Sequence, residues 1–255
     1  ATIYGGDFIS NKSNLYDNIN NINPFSTRNL ELNVEGPLVT EKLFYNLTAR
    51  DIYYQGVFEG QRLFNPQNIS YFDQEDNFNL HRLEIIGDDT LNPGKGDGAF
   101  VPMNWNRKTY LQGKLIYRHS PFTKLKYTLI NDDVSYQDYN RMYRYNPDGN
   151  LKRYRYGLTQ LLQLNHTFST KTFLNAGITH FKKSYQHRTY DRDKWDQYVH
   201  PKLLNSQPYS FLTGGTDLSV FSRETSTSTF KADLTSQWNS KNKIKLGVEF
   251  RQHQL

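Results

Sequence analysis

Several groups of side chains in this 255-residue chain are of the types that bind metals or perform catalysis. Residues 191–196 (DRDKWD) resemble the start of a calcium-binding loop, because carboxylates stand at its first and third positions. However, Asp196 stands where such a loop needs a glycine, and Lys202 stands where it needs a bidentate glutamate. We therefore expect a solvated acidic loop here.

The other candidates for catalysis or metal binding are isolated. Acidic side chains gather at residues 73–76 and at residues 88–89, and both groups read as solvated loops. The chain has no HExxH pair, no GxSxG elbow and no cysteine. Zinc hydrolase, serine hydrolase and thiolate chemistry therefore lack the residues they need. We expect no enzyme, with no catalytic residue, no metal site and no cofactor.

One segment has the composition of a binding surface. Residues 139–156 (YNRMYRYNPDGNLKRYRY) mix tyrosines with arginines, and such mixtures contact polar organic ligands, glycans or nucleic acids. The candidate contact residues are Arg141, Tyr143, Arg144, Tyr145, Arg153, Tyr154 and Arg155.

Composition and charge exclude several function classes. The net charge is +6, but Lys and Arg are spread along the chain and form no basic face, so we expect no nucleic-acid partner. No apolar run approaches the roughly 18 residues of a spanning helix, which excludes an α-helical membrane protein. The first residues (ATIYGGDFISNKSN) contain no signal peptide. We expect either a cytosolic protein or a chain that starts downstream of its own beginning.

The alternation of apolar and polar residues is the main structural signal. In residues 29–54 (NLELNVEGPLVTEKLFYNLTARDIYY) it runs on both sides of a Gly-Pro break. A period of two predicts a strand with one apolar and one polar face, and the break predicts a hairpin. Similar pairs of runs occupy residues 109–129, 158–179 and 230–251, so the sequence predicts eight strands in four hairpins.

Short and long connections alternate along the chain. Turns of about four to six residues join the strands of each hairpin, whereas the long runs 55–107, 139–155 and 187–224 join the hairpins. All long loops would then lie at one end, as in outer-membrane barrels. The predicted strands have about 10–14 residues, close to the ~9–11 that a tilted strand needs to cross a bilayer. A soluble β-sandwich usually has strands of about five or six residues.

The two faces of these strands predict two different surroundings. The apolar face would contact lipid, and the face of mixed charge needs water or a polar plug. Aromatic residues near the strand ends would form interfacial girdles; these are Tyr53, Tyr54, Tyr136, Phe168, Phe173 and Trp238. The residues that we expect to face the lumen are Glu31, Glu35, Arg50, Lys114, Arg118, Lys126, Lys231, Asp233, Lys245, Glu249 and Arg251.

An ordered series of stretches resembles the early barrel of TonB-dependent outer-membrane receptors. The stretches are INPFSTRNLELNVEGPL, LFYNLTARDIYYQGVFEGQRLFNP, GDGAFVPMNWNRKTYLQGKLIYR, LNHTFSTKTFLNAGITHFKKSY and KADLTSQWNSKNKIKLGVEFR. The resemblance is greatest to the large bacterial kind that carries a carboxypeptidase-regulatory-like domain before its plug. It covers the chain from about residue 20 to the end.

The resemblance implies an N-terminal plug inside a 22-stranded barrel. This chain lacks an energy-coupling box and a recognisable plug, and its length holds only about eight such strands. We therefore expect a fragment, with the end of the plug or a linker at residues 1–28 and the first strands and loops of the barrel at residues 29–255. The expected fold is all-β: an antiparallel, up-and-down transmembrane β-barrel, present as an incomplete arc of about eight strands with long extracellular loops.

The same resemblance implies a receptor of the bacterial outer membrane that imports a scarce nutrient, such as a siderophore, cobalamin or an oligosaccharide. The implied partners are outer-membrane lipid and lipopolysaccharide, the TonB energy-coupling protein acting through a plug, and the nutrient. A surface substrate-binding lipoprotein stays open as a further partner. The Tyr/Arg segment would then either contact the ligand or anchor the rim in the acidic saccharide of the outer leaflet.

Two alternatives stay open at this point. Eight strands can close into a small complete barrel filled by side chains, which would be an outer-membrane anchor or adhesin. Such closure would pair residues 30–34 with residues 244–250. The second alternative is a soluble β-sandwich that binds carbohydrate through its aromatic residues.

Overall fold

The computed structural model describes residues 1–38, 41–67, 96–200 and 211–255. These described residues contain eleven strands: β1 Thr2–Gly6, β2 Thr27–Pro37, β3 Leu43–Gln55, β4 Glu59–Gln61, β5 Phe100–Pro102, β6 Trp105–Ser120, β7 Thr123–Gln137, β8 Lys152–Ser169, β9 Thr172–Arg188, β10 Phe221–Gln237 and β11 Lys243–Gln254. Short 3-10 helices lie at Arg141–Tyr143, Pro147–Gly149 and Arg192–Gln197. No helix in the described part of the chain is long and apolar enough to cross a membrane.

Nine of the strands form one antiparallel sheet. Their order is β1-β2-β3-β6-β7-β8-β9-β10-β11, so the order of the strands in the sheet is their order along the chain. The remaining strands, β4 and β5, pair with each other inside the connection between β3 and β6. The predicted all-β, antiparallel, up-and-down fold is therefore confirmed.

The four predicted hairpins are present as β2–β3, β6–β7, β8–β9 and β10–β11. One strand of the sheet was missed: β1 lies within the segment predicted as the end of a plug or a linker, and it pairs with the first half of β2. Residues 7–26 join β1 to β2 at the same end of the sheet as the other long connections. The domain boundary at residue 28 stays a prediction.

The sheet does not close. Residues 30–34 of β2 lie near one edge of the sheet and residues 244–250 of β11 lie at the other, so the predicted closing pair is absent. The small complete barrel is therefore wrong for this structure. The sandwich is also wrong, because the apolar side chains lie bare: Leu246 is 65% exposed and Val248 is 58% exposed. The chain is an incomplete arc.

The register places like residues in rows across the sheet. Directly opposed residues of antiparallel strands share a face. One row on what we call the apolar face runs through Tyr45, Leu115, Tyr127, Leu162, Ile178, Phe230 and Phe250. The face on the other side, which we call the charged face, carries every residue that was predicted to face the lumen, because all of them have the opposite parity.

On the apolar face, the apolar residues of the successive strands form a band, which slopes relative to the rows of directly opposed residues. The row that contains Leu32, the centre of the band on β2, reaches β11 at Gln254. The apolar run of β11, however, is centred about seven residues earlier, within residues 244–250. A drift of about one residue per strand, at ~3.3 Å rise and ~4.8 Å strand spacing, corresponds to a strand tilt of roughly 35°. Transmembrane barrels have tilts of this size.

The predicted aromatic girdle is partly wrong. Tyr54, Tyr136 and Phe173 lie on the charged face, because each is opposed to residues of that face. Tyr53 lies on the apolar face, as Tyr154 does, at the end of the sheet where the long connections lie. The sequence predicts where the strands end, but it does not predict on which face each aromatic side chain near those ends lies.

Candidate functional site

Four long connections meet at one end of the sheet, which we call the loop end. They are residues 7–26, 56–104, 138–151 and 189–220, and together we call their described parts the loop cap. The short turns lie at the opposite end, the turn end. The loop cap contains the only residues of the described chain whose large side chains are fully buried, Met103 and Asn146. The most tightly packed part of the described chain is therefore in the loops.

A small apolar core holds three of these loops together. Met103, Tyr143 and Leu212 are 0%, 7% and 6% exposed, and each comes from a different loop. Tyr139 packs against this core and stacks on Phe58, with ring centroids 4.6 Å apart. Burial raises the pKa of the Tyr143 phenol well above its usual range. These three loops thus pack against one another through a shared hydrophobic core.

Backbone hydrogen bonds join the same loops. The amide of Gln61 donates to the carbonyl oxygen of Arg144 at 2.9 Å, and the amide of Leu212 donates to the carbonyl oxygen of Met142 at 2.7 Å. Farther along, the amide of Gly215 donates to the carbonyl oxygen of Pro66 at 2.6 Å. Each of the three loops is therefore hydrogen-bonded through its backbone to both of the others.

Charged groups reinforce the contact between loops 56–104 and 138–151. The Arg62 guanidinium lies 2.6 Å from an Asp148 carboxylate oxygen and 2.9 Å from an Asp97 carboxylate oxygen. The hydrogen bond to Asp148 raises the pKa of Arg62. The backbone amide of Ala99, together with Arg62, lowers the pKa of Asp97. Both shifts favour the charged forms of Arg62 and Asp97.

Loop 7–26 is tied to the cap by polar contacts. The Arg144 guanidinium lies 2.6 Å from an Asp17 carboxylate oxygen, and Asn18 donates to Glu59 at 2.7 Å. Asn18 has a φ of +58°, a conformation that asparagine tolerates better than most residues. Residues 7–26, which lie within the segment predicted as the end of a plug or a linker, are thus part of the loop cap.

The Tyr/Arg residues of loop 138–151 are mostly engaged within the protein. The Arg141 guanidinium lies 5.3 Å from the Phe211 ring centroid, and Tyr145 contacts the same ring edge-on at 4.9 Å. Tyr143 lies in the apolar core and Arg144 pairs with Asp17. These contacts build the cap; ligand or rim contact by these residues stays a prediction.

The last three candidates of the Tyr/Arg segment are strand residues, because β8 begins at Lys152 and not after residue 155. Arg153 pairs with Asp138 at 2.7 Å, and Arg155 donates to the Tyr136 hydroxyl at 2.8 Å, both on the charged face. Tyr154 lies on the apolar face beneath the Arg188 guanidinium, 4.3 Å from its ring centroid. The strand parity therefore separates side chains that are adjacent in sequence.

The calcium-like segment forms a 3-10 helix at Arg192–Gln197. Asp191 accepts from Arg188 at 2.7 Å. Lys202, residues 73–76 and residues 88–89 lie outside the described residues. Within the described parts of the chain, no three or more His, Asp or Glu side chains converge as a metal site would require.

The charged face carries a network on β10 and β11. The Lys231 ammonium lies 3.8 Å from Asp233 and 3.9 Å from Glu249, while Lys245 lies 3.8 Å from Asp233. Arg251 donates to Glu249 at 2.6 Å. Lys231, Asp233, Glu249 and Arg251 line a hollow of 400 Å³ that extends to Asn165 and Gln163 of β8. Its charges are balanced locally, so it could hold water or a polar polypeptide surface.

The comparisons with known proteins concern the fold. No family model matches the chain, and no curated protein matches it. Among solved structures, the chain is similar to the outer membrane transporter YddB from Escherichia coli, with a TM-score of 0.57 and 14% sequence identity. The fold is of the outer-membrane barrel type, present in this chain as an open sheet of nine strands. The similarity covers 89% of this chain and 25% of that transporter, so the chain spans about a quarter of the length of the protein it matches.

Proposed function

We propose that this chain is part of the wall and extracellular loops of an outer-membrane nutrient importer of the TonB-dependent receptor kind. The observation that carries the proposal is the two-faced open arc. Its apolar face has the slope of tilted membrane-crossing strands, its charged face needs a polar filling, and its loops are interlocked at one end. The similarity to an outer membrane transporter supports this assignment.

The proposed division of labour follows from these surfaces. The apolar face contacts lipid, and the loop cap faces the outside, where it meets the nutrient or the saccharide layer. The charged face lines a lumen occupied by a plug, on which the inner-membrane TonB protein acts. Siderophores, cobalamin and oligosaccharides stay open as nutrients, and so does a surface lipoprotein that covers the loops.

Deletion of the gene in the source bacterium tests this function. Envelope fractionation should place the protein in the outer membrane. Uptake of one of the three nutrient classes should fall in the deletion strain, and loss of TonB should lower the uptake of that same nutrient. A wild-type copy of the gene should restore uptake in the deletion strain. A protein found in the soluble fraction, or uptake of all three classes that is unchanged by the deletion, would contradict the proposal.

A further inference from the structure

The charged face carries a second group of basic residues, which have no acidic partner among the described residues. Lys114 and Arg118 lie on β6, and Lys124 and Lys126 lie on β7, in the half of these strands nearer the turn end. We call these four residues the basic patch. Within the described residues none of them forms an ion pair. The patch thus differs from the balanced network on β10 and β11.

The register makes this arrangement unfavourable in isolation. Arg118 is directly opposed to Lys124, and like charges in opposed positions of a sheet destabilise it. The acid nearest to Lys114 in its row is Glu35, which is two strands away and already accepts from Asn46 at 3.0 Å. Two strand spacings amount to about 10 Å. The charge of the patch is therefore not neutralised by the sheet itself.

Apolar side chains accompany the patch on the same face. Phe44 is directly opposed to Ile116, and Ile116 is directly opposed to Lys126. The Arg118 guanidinium lies over the Phe44 ring, 4.6 Å from its centroid. Aromatic, aliphatic and arginine side chains together are typical of the central part of a protein–protein interface. A small inorganic anion would need the cations but not the apolar neighbours.

From this charge and composition we propose that the basic patch is the docking surface for a polypeptide that presents carboxylates around a small apolar spot. The proposal rests on the proposed function, in which a folded domain occupies the lumen against the charged face. Docking would place carboxylates between Arg118 and Lys124 and cover Phe44 and Ile116. It would thereby relieve the like-charge contact that the isolated sheet retains.

Carbodiimide cross-linking tests the proposal, because this reagent joins a lysine amine directly to a carboxylate with which it is in contact. The experiment uses the full-length protein in isolated outer membranes, followed by peptide mass spectrometry. We expect Lys114, Lys124 or Lys126 to be joined to Asp or Glu residues of a polypeptide region outside residues 1–255. Lys231 and Lys245, which have carboxylate partners within the sheet, serve as internal positive controls.

A charge-reversal variant provides the matched comparison. In the Lys124→Glu/Lys126→Glu double variant, the cross-links that join Lys114 to residues outside 1–255 should disappear, and its acetylation by a water-soluble reagent should become about fivefold faster. Lys183→Glu alters a lysine of the same face that lies outside the patch, and it should change neither readout. An unchanged Lys231–Glu249 cross-link shows that the double variant has folded.

Two results would overturn the proposal. One is that the patch lysines form no cross-link and are acetylated as fast as Lys183. The other is that inorganic phosphate protects them where sodium chloride of equal ionic strength does not, which would make the patch a site for small anions. Either result in a protein located in the outer membrane refutes the docking surface alone. Absence of the protein from the outer membrane refutes the proposed function instead.

Discussion

Single residues of the Tyr/Arg segment have separate tasks that their sequence pattern conceals. Tyr143 lies in the apolar core of the loop cap, whereas Met142, its neighbour in the same 3-10 helix, is 39% exposed. Tyr143→Ala should destabilise the cap by about 3–5 kcal/mol, since it leaves a cavity where an aromatic ring was buried. Hydrogen exchange of loops 138–151 and 211–220 measures the effect.

Met142→Ala is the control for this prediction, and it should leave exchange nearly unchanged. Tyr143→Phe should retain most of the protection, because it keeps the buried ring. If Tyr143→Ala and Met142→Ala exchanged alike, the cap would not depend on this core.

The contact between Arg144 and Asp17 is a second residue-scale feature. Because both side chains are about a third exposed, we expect their coupling to be about 1 kcal/mol in a double-mutant cycle of Arg144→Ala and Asp17→Ala. Each single variant should accelerate proteolytic cleavage within loop 7–26 on whole cells. Arg141→Ala removes an arginine that contacts Phe211 and not loop 7–26, so cleavage should remain at the wild-type rate.

Sequence reasoning at the residue scale found the right segment but could not resolve its members. Alternating Tyr and Arg suggested one surface, yet Tyr143 is buried and Arg153 and Tyr154 lie on opposite faces of β8. Burial of Tyr143 depends on Met103 and Leu212, which lie far away in sequence. Local pattern carries no information on such contacts, so these assignments required the tertiary structure.

Strands are the scale at which the sequence was most informative. The period of two identified all four hairpins and both faces. This pattern specifies the faces strongly, because a shift of one residue would move every side chain of a strand to the wrong face. The exception is β1, Thr2–Gly6, which has only five residues and too short an alternation to register as a strand. Its pairing with β2 is long-range information that no local pattern contains.

The assignment of faces gives an element-scale prediction. Leu246 and Lys245 are neighbours on β11, on the apolar and the charged face respectively. In the membrane-folded full-length protein, Leu246→Arg should cost about 2–4 kcal/mol because it places a charge in hydrocarbon near the midplane. Lys245→Gln should cost little, although it removes the contact with Asp233. Urea unfolding in lipid vesicles measures both, and equal tolerance would reverse the facing assignment.

On the scale of the whole molecule, the open arc limits what the 255-residue chain can do by itself. β1 covers only the first half of β2, and no strand of the described residues lies on the outer side of β11, so both edges present unpaired amide and carbonyl groups. In hydrocarbon each such group costs several kcal/mol, which is why barrels close. In water the same edges pair with other chains.

The chain refolded alone should therefore fail to insert into lipid vesicles as a compact monomer. A natural eight-stranded barrel refolded under the same conditions should migrate faster before boiling than after it, because a closed barrel resists the detergent of the gel. This chain, with nine strands in an open sheet, should show no such shift and should instead form detergent-sensitive oligomers by edge pairing. If the chain instead ran as a monomer that migrates faster before boiling than after it, β1 and β11 would pair with each other in lipid. The sheet would then close, and the chain would need no further strands to form a barrel wall.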